Sequence, residues 1–163
     1  MTYFLCGFMG CGKSTIGKFA SALLDKKFID LDDYIEKKLN MKIPDIFKEK
    51  GEPFFREEET KAISELATSE NIIACGGGAM INPKNSQIAQ QDGVVVFLDV
   101  PFQVCYKRIE GDTNRPLIVA NTKQQVEELY NKRYPVYKLH STVVIDANKT
   151  PEEVANDIAT LKL

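Results

Sequence analysis

Short, uninterrupted apolar runs alternate along this chain with stretches in which apolar residues return at helical spacing. The runs are Tyr3–Cys6, Phe28-Ile29, Ile72–Cys75, Val94–Leu98 and Val143–Ile145, and each is stopped by Gly or Asp, as expected of buried strands. Between them, Ile16, Phe19, Ala20, Leu23 and Leu24 predict a helix over 14–24. A second helix begins over 34–39, and a third could start at Pro44 and is broken by Gly51 and Pro53. Ile63, Leu66 and Ala67 suggest another over about 54–68. Pro101 opens a helix, a further one runs over 126–137, and Thr150-Pro151-Glu152-Glu153 carries the cap, proline and capping-box glutamate of the last. Residues 110–122 are polar and contain Gly111, so they are expected to form a mobile loop. Strands alternating with helices predict an α/β fold whose parallel sheet is covered on both faces.

The first strand leads directly into GFMGCGKST, Gly7 to Thr15, which contains the GxxxxGKS/T phosphate-binding pattern. Glycines at Gly7, Gly10 and Gly12 let the backbone turn its N–H groups toward phosphate oxygens. Lys13 supplies a point charge. Ser14 begins a helix whose positive end faces the same anion, and its hydroxyl is suited to Mg²⁺. A nucleoside triphosphate is therefore the expected ligand. Cys11 lies inside this loop: the amides, the helix N-terminus and Lys13 would favour a reactive thiolate, whereas a small side chain turned away from solvent is the alternative.

The chain has 163 residues and a formal net charge of −2, which bounds it to one domain and leaves no basic stripe for nucleic acid. No apolar stretch approaches a membrane span, and Met1 leads straight into the first strand, so a cytoplasmic protein without a membrane partner is expected. Cys6, Cys75 and Cys105 read as small buried residues, and no zinc spacing is present. His140 reads as a surface or helix-end residue.

A guanine-nucleotide switch needs NKxD, and Asn148-Lys149 is followed by Thr150-Pro151 instead. Three other constellations point to phosphoryl transfer to a small molecule. Asp30 and Asp32 lie at the end of the second strand, where a period of two would send both to one side, near the phosphates. The competing account is carboxylates that cap a helix, a role expected of Asp33. Arg56, Arg115 and Arg133 are isolated arginines in distinctive settings; alone, Arg56 reads as an ion pair with Glu52 or Glu59 on a solvated helix face. Gly76-Gly77-Gly78 follow a buried strand, and close backbone approach to a ligand would justify their entropic cost. A plain loop is the alternative.

In order and spacing these pieces resemble the shikimate kinase family over essentially the whole chain. The resemblance rests on GFMGCGKST, DLDD at 30–33, IPDIFKEKGEPFFREEE at 43–59, GGG at 76–78, RPLI at 115–118 and KRYPVY at 132–137. It implies a P-loop kinase fold related to nucleoside monophosphate kinases, with strand order 2-3-1-4-5. One domain would span 1–163, with a substrate-binding region at about 32–60 and a lid at about 110–122. It also implies transfer from ATP to the 3-hydroxyl of shikimate by a monomer. Asp32, Arg56, Gly77, Gly78 and Arg133 would hold shikimate, with Phe47 and Phe55 as apolar walls and Glu59 orienting the arginines. Gly10, Cys11, Gly12, Lys13, Ser14 and Thr15 would bind the phosphates; Lys13 and Arg115, with Asp32, would be catalytic. Ser14 and Asp30 would serve Mg²⁺, in preference to Asp99, and Arg108, Asn148 and Pro151 would lie near adenine. Departures are small: Ile118 replaces a more usual leucine, and Cys11 a more usual serine. A gluconate or nucleoside monophosphate kinase would share the P-loop and lid but not the spacing of FR, GGG and RPL. A regulatory nucleotide-binding module would have no acceptor at all.

Overall fold

The computed structural model describes all residues, Met1–Leu163. Each apolar run forms a strand: β1 (Thr2–Cys6), β2 (Phe28–Asp30), β3 (Ile72–Ala74), β4 (Gly93–Asp99) and β5 (Val143–Asp146). They pair in parallel in the order β2-β3-β1-β4-β5, so β1 lies in the middle. Phe4, Leu5 and Cys6 are fully buried there, because helices cover both sheet faces and leave no solvent side for an alternating pattern. Truncating Leu5 to Ala at this position would cost about 2–5 kcal/mol.

Between the strands run α1 (Lys13–Leu24), α2 (Leu31–Leu39), α3 (Ile43–Lys50), α4 (Glu52–Leu66), α5 (Pro83–Asp92), α6 (Phe102–Ile109), α7 (Pro116–Ala120), α8 (Lys123–Leu139) and α9 (Pro151–Ala159). Prolines open several of them in the first turn, where a missing N–H breaks no helical bond. The Thr150–Glu153 capping box forms as expected, and a second one at Thr122 and Gln125 starts α8 earlier than its apolar periodicity suggests. Only Gly51, at φ +85°, separates α3 from α4.

The structure corrects several expectations. The segment 110–122 is not wholly loop, since Pro116–Ala120 is helical. Helix α5 has no counterpart in the apolar pattern because it is mostly polar; the Asn82 side chain caps it by accepting from the Lys84 amide. Asp32 is not part of a strand. Strand β2 ends at Asp30 and α2 begins at Leu31, so a period of two does not set the Asp32 direction; a helical turn does. The cap of α2 is Asp30, which accepts from the Asp33 amide, and not Asp33 itself.

Candidate active site

The carboxyl ends of the strands open into one cleft of about 430 Å³. Its wall combines Gly10, Gly12, Lys13, Ser14 and Thr15 with Asp30, Asp32, Gly76, Gly77, Arg108 and Arg115. In a parallel sheet this edge collects the loops that follow the strands, so residues far apart in sequence converge without long connections.

The phosphate loop turns through Gly10 at φ +83° and Gly12 at φ +98°, a conformation that side chains resist. Lys13 Nζ donates to the carbonyls of Gly7 and Phe8, at 2.8 and 3.1 Å, which holds the ammonium over its own loop. Arg108 Nη1 donates to Gly10 O at 2.9 Å, tying α6 to the loop. Ser14 Oγ lies 3.5 Å from Asp30 Oδ2, while Oδ1 of the same carboxylate caps α2. This hydroxyl and carboxylate oxygen are hard donors suited to Mg²⁺. No group of three or more His, Cys, Asp or Glu side chains could cage a metal, which fits an ion that keeps waters and phosphates as its other ligands.

The triple glycine has a steric reason. None of the three has a positive φ. Instead, each has a side chain lying where its Cβ would be. A Cβ on Gly76 would meet Asp32 Oδ1 at 3.0 Å, one on Gly77 would meet Arg133 Nη1 at 3.1 Å, and one on Gly78 would meet Arg56 Nη2 at 2.6 Å. The turn is a platform on which a carboxylate and two guanidinium groups rest side by side.

Electrostatics follow from that crowding. Burial, reinforced by the Asp30 charge and opposed by Lys13 and Arg56, raises the Asp32 carboxyl to about 6. Arg56 Nη1 donates to both oxygens of Glu59, at 3.0 and 3.2 Å, and Arg56 Nε reaches Glu52 at 3.4 Å. Glu59 is only 1% exposed, so that pair does not lie on a solvated helix face, whereas the longer contact with exposed Glu52 does. Burial raises the Glu59 carboxyl, and the neighbouring Arg56 and Arg133 charges pull it back. The ring of Phe47 meets that of Phe55 edge-on with centroids 5.0 Å apart, and the Arg56 guanidinium stands over Phe55. Phe47 is exposed and able to face a ligand, whereas Phe55 is buried behind it and supports Arg56.

A second, smaller cleft of about 260 Å³ adjoins the phosphate loop and is lined by Cys11, Gly12, Thr15, Ile16, Arg108, Ala147, Lys149 and Pro151. Arg108 and Pro151, both expected near adenine, share this wall. Asn148 does not join this wall; its backbone N–H donates to Asp146 Oδ1 in a tight turn, and its neighbours line the cleft instead. Arg115, on the segment before α7, lines the main cleft while paired with Asp112 at 3.0 Å. Asp99 accepts from Tyr134 Oη at 2.8 Å and so supports α8. His140 is the C-cap of α8, with Nδ1 2.7 Å from Met80 O. Cys11 is 1% exposed, which favours the packed side chain over the reactive thiolate.

Gly76, singled out with the triplet but given no substrate role of its own, belongs to the platform beside Gly77 and Gly78. One participant escaped the sequence reading. Tyr137 donates to Gly77 O at 2.5 Å from within the core. Its position four residues after Arg133, on the same helical face, was the available signal.

A phosphate-binding loop after the central strand of a parallel β2-β3-β1-β4-β5 sheet, with an arginine-bearing segment beside the cleft, is the build of a P-loop kinase. Comparison with known proteins narrows the class. The family model described as Shikimate kinase matches residues 9–162. The shikimate kinase of Streptococcus gordonii is 41% identical over 99% of this chain and 100% of that protein. That of Persephonella marina is 38% identical over 95% of this chain and 94% of that protein. A solved structure of shikimate kinase from Acinetobacter baumannii in complex with shikimate superposes with a TM-score of 0.88 at 36% identity, covering 96% of this chain and 89% of that one. A sugar kinase from Janibacter, 15% identical with a TM-score of 0.63, shares the fold alone. The chain belongs to the shikimate kinase family.

Proposed function

We propose that the protein transfers the γ-phosphoryl group of ATP to the 3-hydroxyl of shikimate, giving shikimate 3-phosphate and ADP, a step of aromatic amino-acid biosynthesis. The observation that carries this reading is the glycine platform. It gathers two guanidinium groups with one carboxylate, Asp32, that shares a cleft wall with the phosphate loop, which supports an acceptor with hydroxyls at one end and a carboxylate at the other.

In this reading Arg56 and Arg133 grip the acceptor carboxylate, and Glu59 holds Arg56 in the required orientation. Phe47 flanks the ring. Every carbonyl from Gly76 to Met80 accepts a hydrogen bond from within the protein, whereas the amides of Gly77 and Gly78 have no protein partner and are available to a ligand oxygen. Asp32 accepts the 3-hydroxyl proton as the new O–P bond forms and the bond between the γ-phosphorus and the β,γ-bridging oxygen breaks. Its carboxyl, raised to about 6, is ionised at neutral pH yet basic enough for that task. Lys13 leaves the loop carbonyls to neutralise charge on the transferring group, joined by Arg115 as 110–122 closes. Ser14 and Asp30 would hold Mg²⁺, which when bound would supply positive charge to offset that of the phosphates. Arg108, Thr15 and Pro151 frame the nucleotide.

Phosphoryl transfer of this kind depends on positioning and charge compensation more than on covalent chemistry by the protein. The test is a coupled ADP-release assay with shikimate, gluconate, AMP or no acceptor. Turnover with shikimate alone is expected; equal turnover with another acceptor, or none with any, overturns the reading. A single domain over 1–163 working as a cytoplasmic monomer belongs to the same proposal. Sedimentation at micromolar concentration tests the monomer.

A further inference from the structure

The substrate arginine Arg133 has no carboxylate within ion-pairing distance, unlike Arg56 and Arg115. Something else must fix its guanidinium. It is carried on α8, which contains Pro135; the proline supplies no N–H to the turn that bears Arg133, leaving the helix locally less constrained. One turn further on stands Tyr137, 2% exposed, its ring stacked near Phe97 with centroids 5.4 Å apart. The Tyr137 hydroxyl donates its proton to Gly77 O. With its proton committed, the phenol oxygen can only accept. The group beside it is Arg133: Arg133 Nη1 and Tyr137 Oη lie 3.1 and 3.7 Å from the point where a Gly77 Cβ would stand. The guanidinium also opposes part of the rise that burial imposes on the Tyr137 phenol.

Gly77 is itself an unusually fixed anchor. Ala79 O accepts from the buried Asn85 amide at 2.9 Å, and Met80 O lies 2.7 Å from His140 Nδ1, a contact that requires a proton on that nitrogen. The segment bearing the Gly77 carbonyl is therefore held by three side chains, one from α5 and two from the end of α8.

We infer that Tyr137 is a positioning residue for shikimate recognition: anchored on the Gly77 carbonyl, its hydroxyl oxygen faces the Arg133 guanidinium and holds it toward the acceptor carboxylate. The inference rests on the acceptor reading above and adds to it a group that touches no substrate. Phosphate chemistry lies elsewhere in the cleft, so the effect is confined to the acceptor.

The test is steady-state kinetics of Tyr137→Phe, alone and combined with Arg133→Ala, with thermal melting of each variant. Wild-type protein that fails to phosphorylate shikimate refutes the acceptor reading itself, independently of Tyr137. Given wild-type turnover, Tyr137→Phe is expected to raise the shikimate KM about 10-fold, in keeping with loss of a hydrogen bond to a charged group, and to leave the ATP KM and kcat within about 3-fold. In the Arg133→Ala background the same change is expected to alter the shikimate KM by less than about 3-fold, because the group it positions is gone. An unchanged KM in the single variant overturns the inference, as does a full 10-fold effect that persists without Arg133. A parallel rise in the KM of both substrates also overturns it, since that is the mark of general loosening. Should Tyr137→Phe melt too low for steady-state assay, calorimetric titration of shikimate into the same variants in the cold is expected to show the same roughly 10-fold loss, absent without Arg133; equal affinity of wild type and Tyr137→Phe refutes the inference.

Discussion

Replacing Asp32 by Asn is expected to stabilise the ligand-free protein while abolishing efficient use of the acceptor. The Asp32 carboxyl rises from 3.8 to about 6 on folding, chiefly because it is buried and faces Asp30. A raised acid pKa means that the folded state binds the proton more tightly than the unfolded state does. The stability associated with that proton is fully present below pH 3.8 and is lost as pH rises through about 6. Above that point the folded protein carries the whole cost of an ionised, buried Asp32, about 3 kcal/mol at about 1.4 kcal/mol per pH unit. Water reaching the carboxylate through the cleft reduces the realised value to roughly 1–2 kcal/mol, or roughly 3–6 °C in Tm for a chain of this size. Asn is nearly isosteric and carries no charge, so it removes the cost. Thermal melts of wild type and Asp32→Asn across pH 4 to 8, without ligands, should converge near pH 4 and separate above pH 6, the variant being the more stable. A variant that is equally destabilised at every pH would show that Asp32 is held as a structural carboxylate, and would refute the argument.

Other outcomes follow from the same geometry. The acid limb of kcat/KM for shikimate should fall with an apparent pKa of about 6, set by Asp32, and move when Asp32 is replaced. Lys13→Ala should lower kcat by about 100-fold or more with little change in Tm; near-normal turnover would remove Lys13 from the transition state. Gly78→Ala should raise the shikimate KM with ATP affinity unchanged, since a Cβ there would stand 2.6 Å from Arg56 Nη2; calorimetric titration of each ligand checks it. Hydrogen exchange over 110–122 should slow only when nucleotide and shikimate are both bound, as Arg115 trades Asp112 for a phosphate.

The sequence made the phosphate loop legible because that loop is local: a strand, a run of glycines and a helix start are consecutive. The parallel sheet was legible for a related reason, since unbroken apolar runs have few homes other than a sheet covered on both faces. What depended on tertiary contact was read less well. Asp30 and Asp32 were placed at the correct cleft by an argument from strand alternation that fails, because the chain turns into α2 between them. Polar α5 is specified by its Asn82 cap and its packing rather than by periodicity. The glycine triplet announced close approach, but what approaches is the protein's own Asp32, Arg133 and Arg56, a fact carried only by the folded arrangement. The family resemblance gives Asn148 a place near adenine, whereas in the fold its neighbours Ala147 and Lys149 line the smaller cleft.

The central claim is that the acceptor on the glycine platform is shikimate, phosphorylated at its 3-hydroxyl. Phosphorus–proton correlation NMR of a reaction containing the protein, ATP, Mg²⁺ and shikimate tests it most directly. A phosphomonoester resonance coupled to the proton on carbon 3 is expected, with ADP formed in equal amount. Release of inorganic phosphate without an ester, or an ester on another hydroxyl, would contradict it.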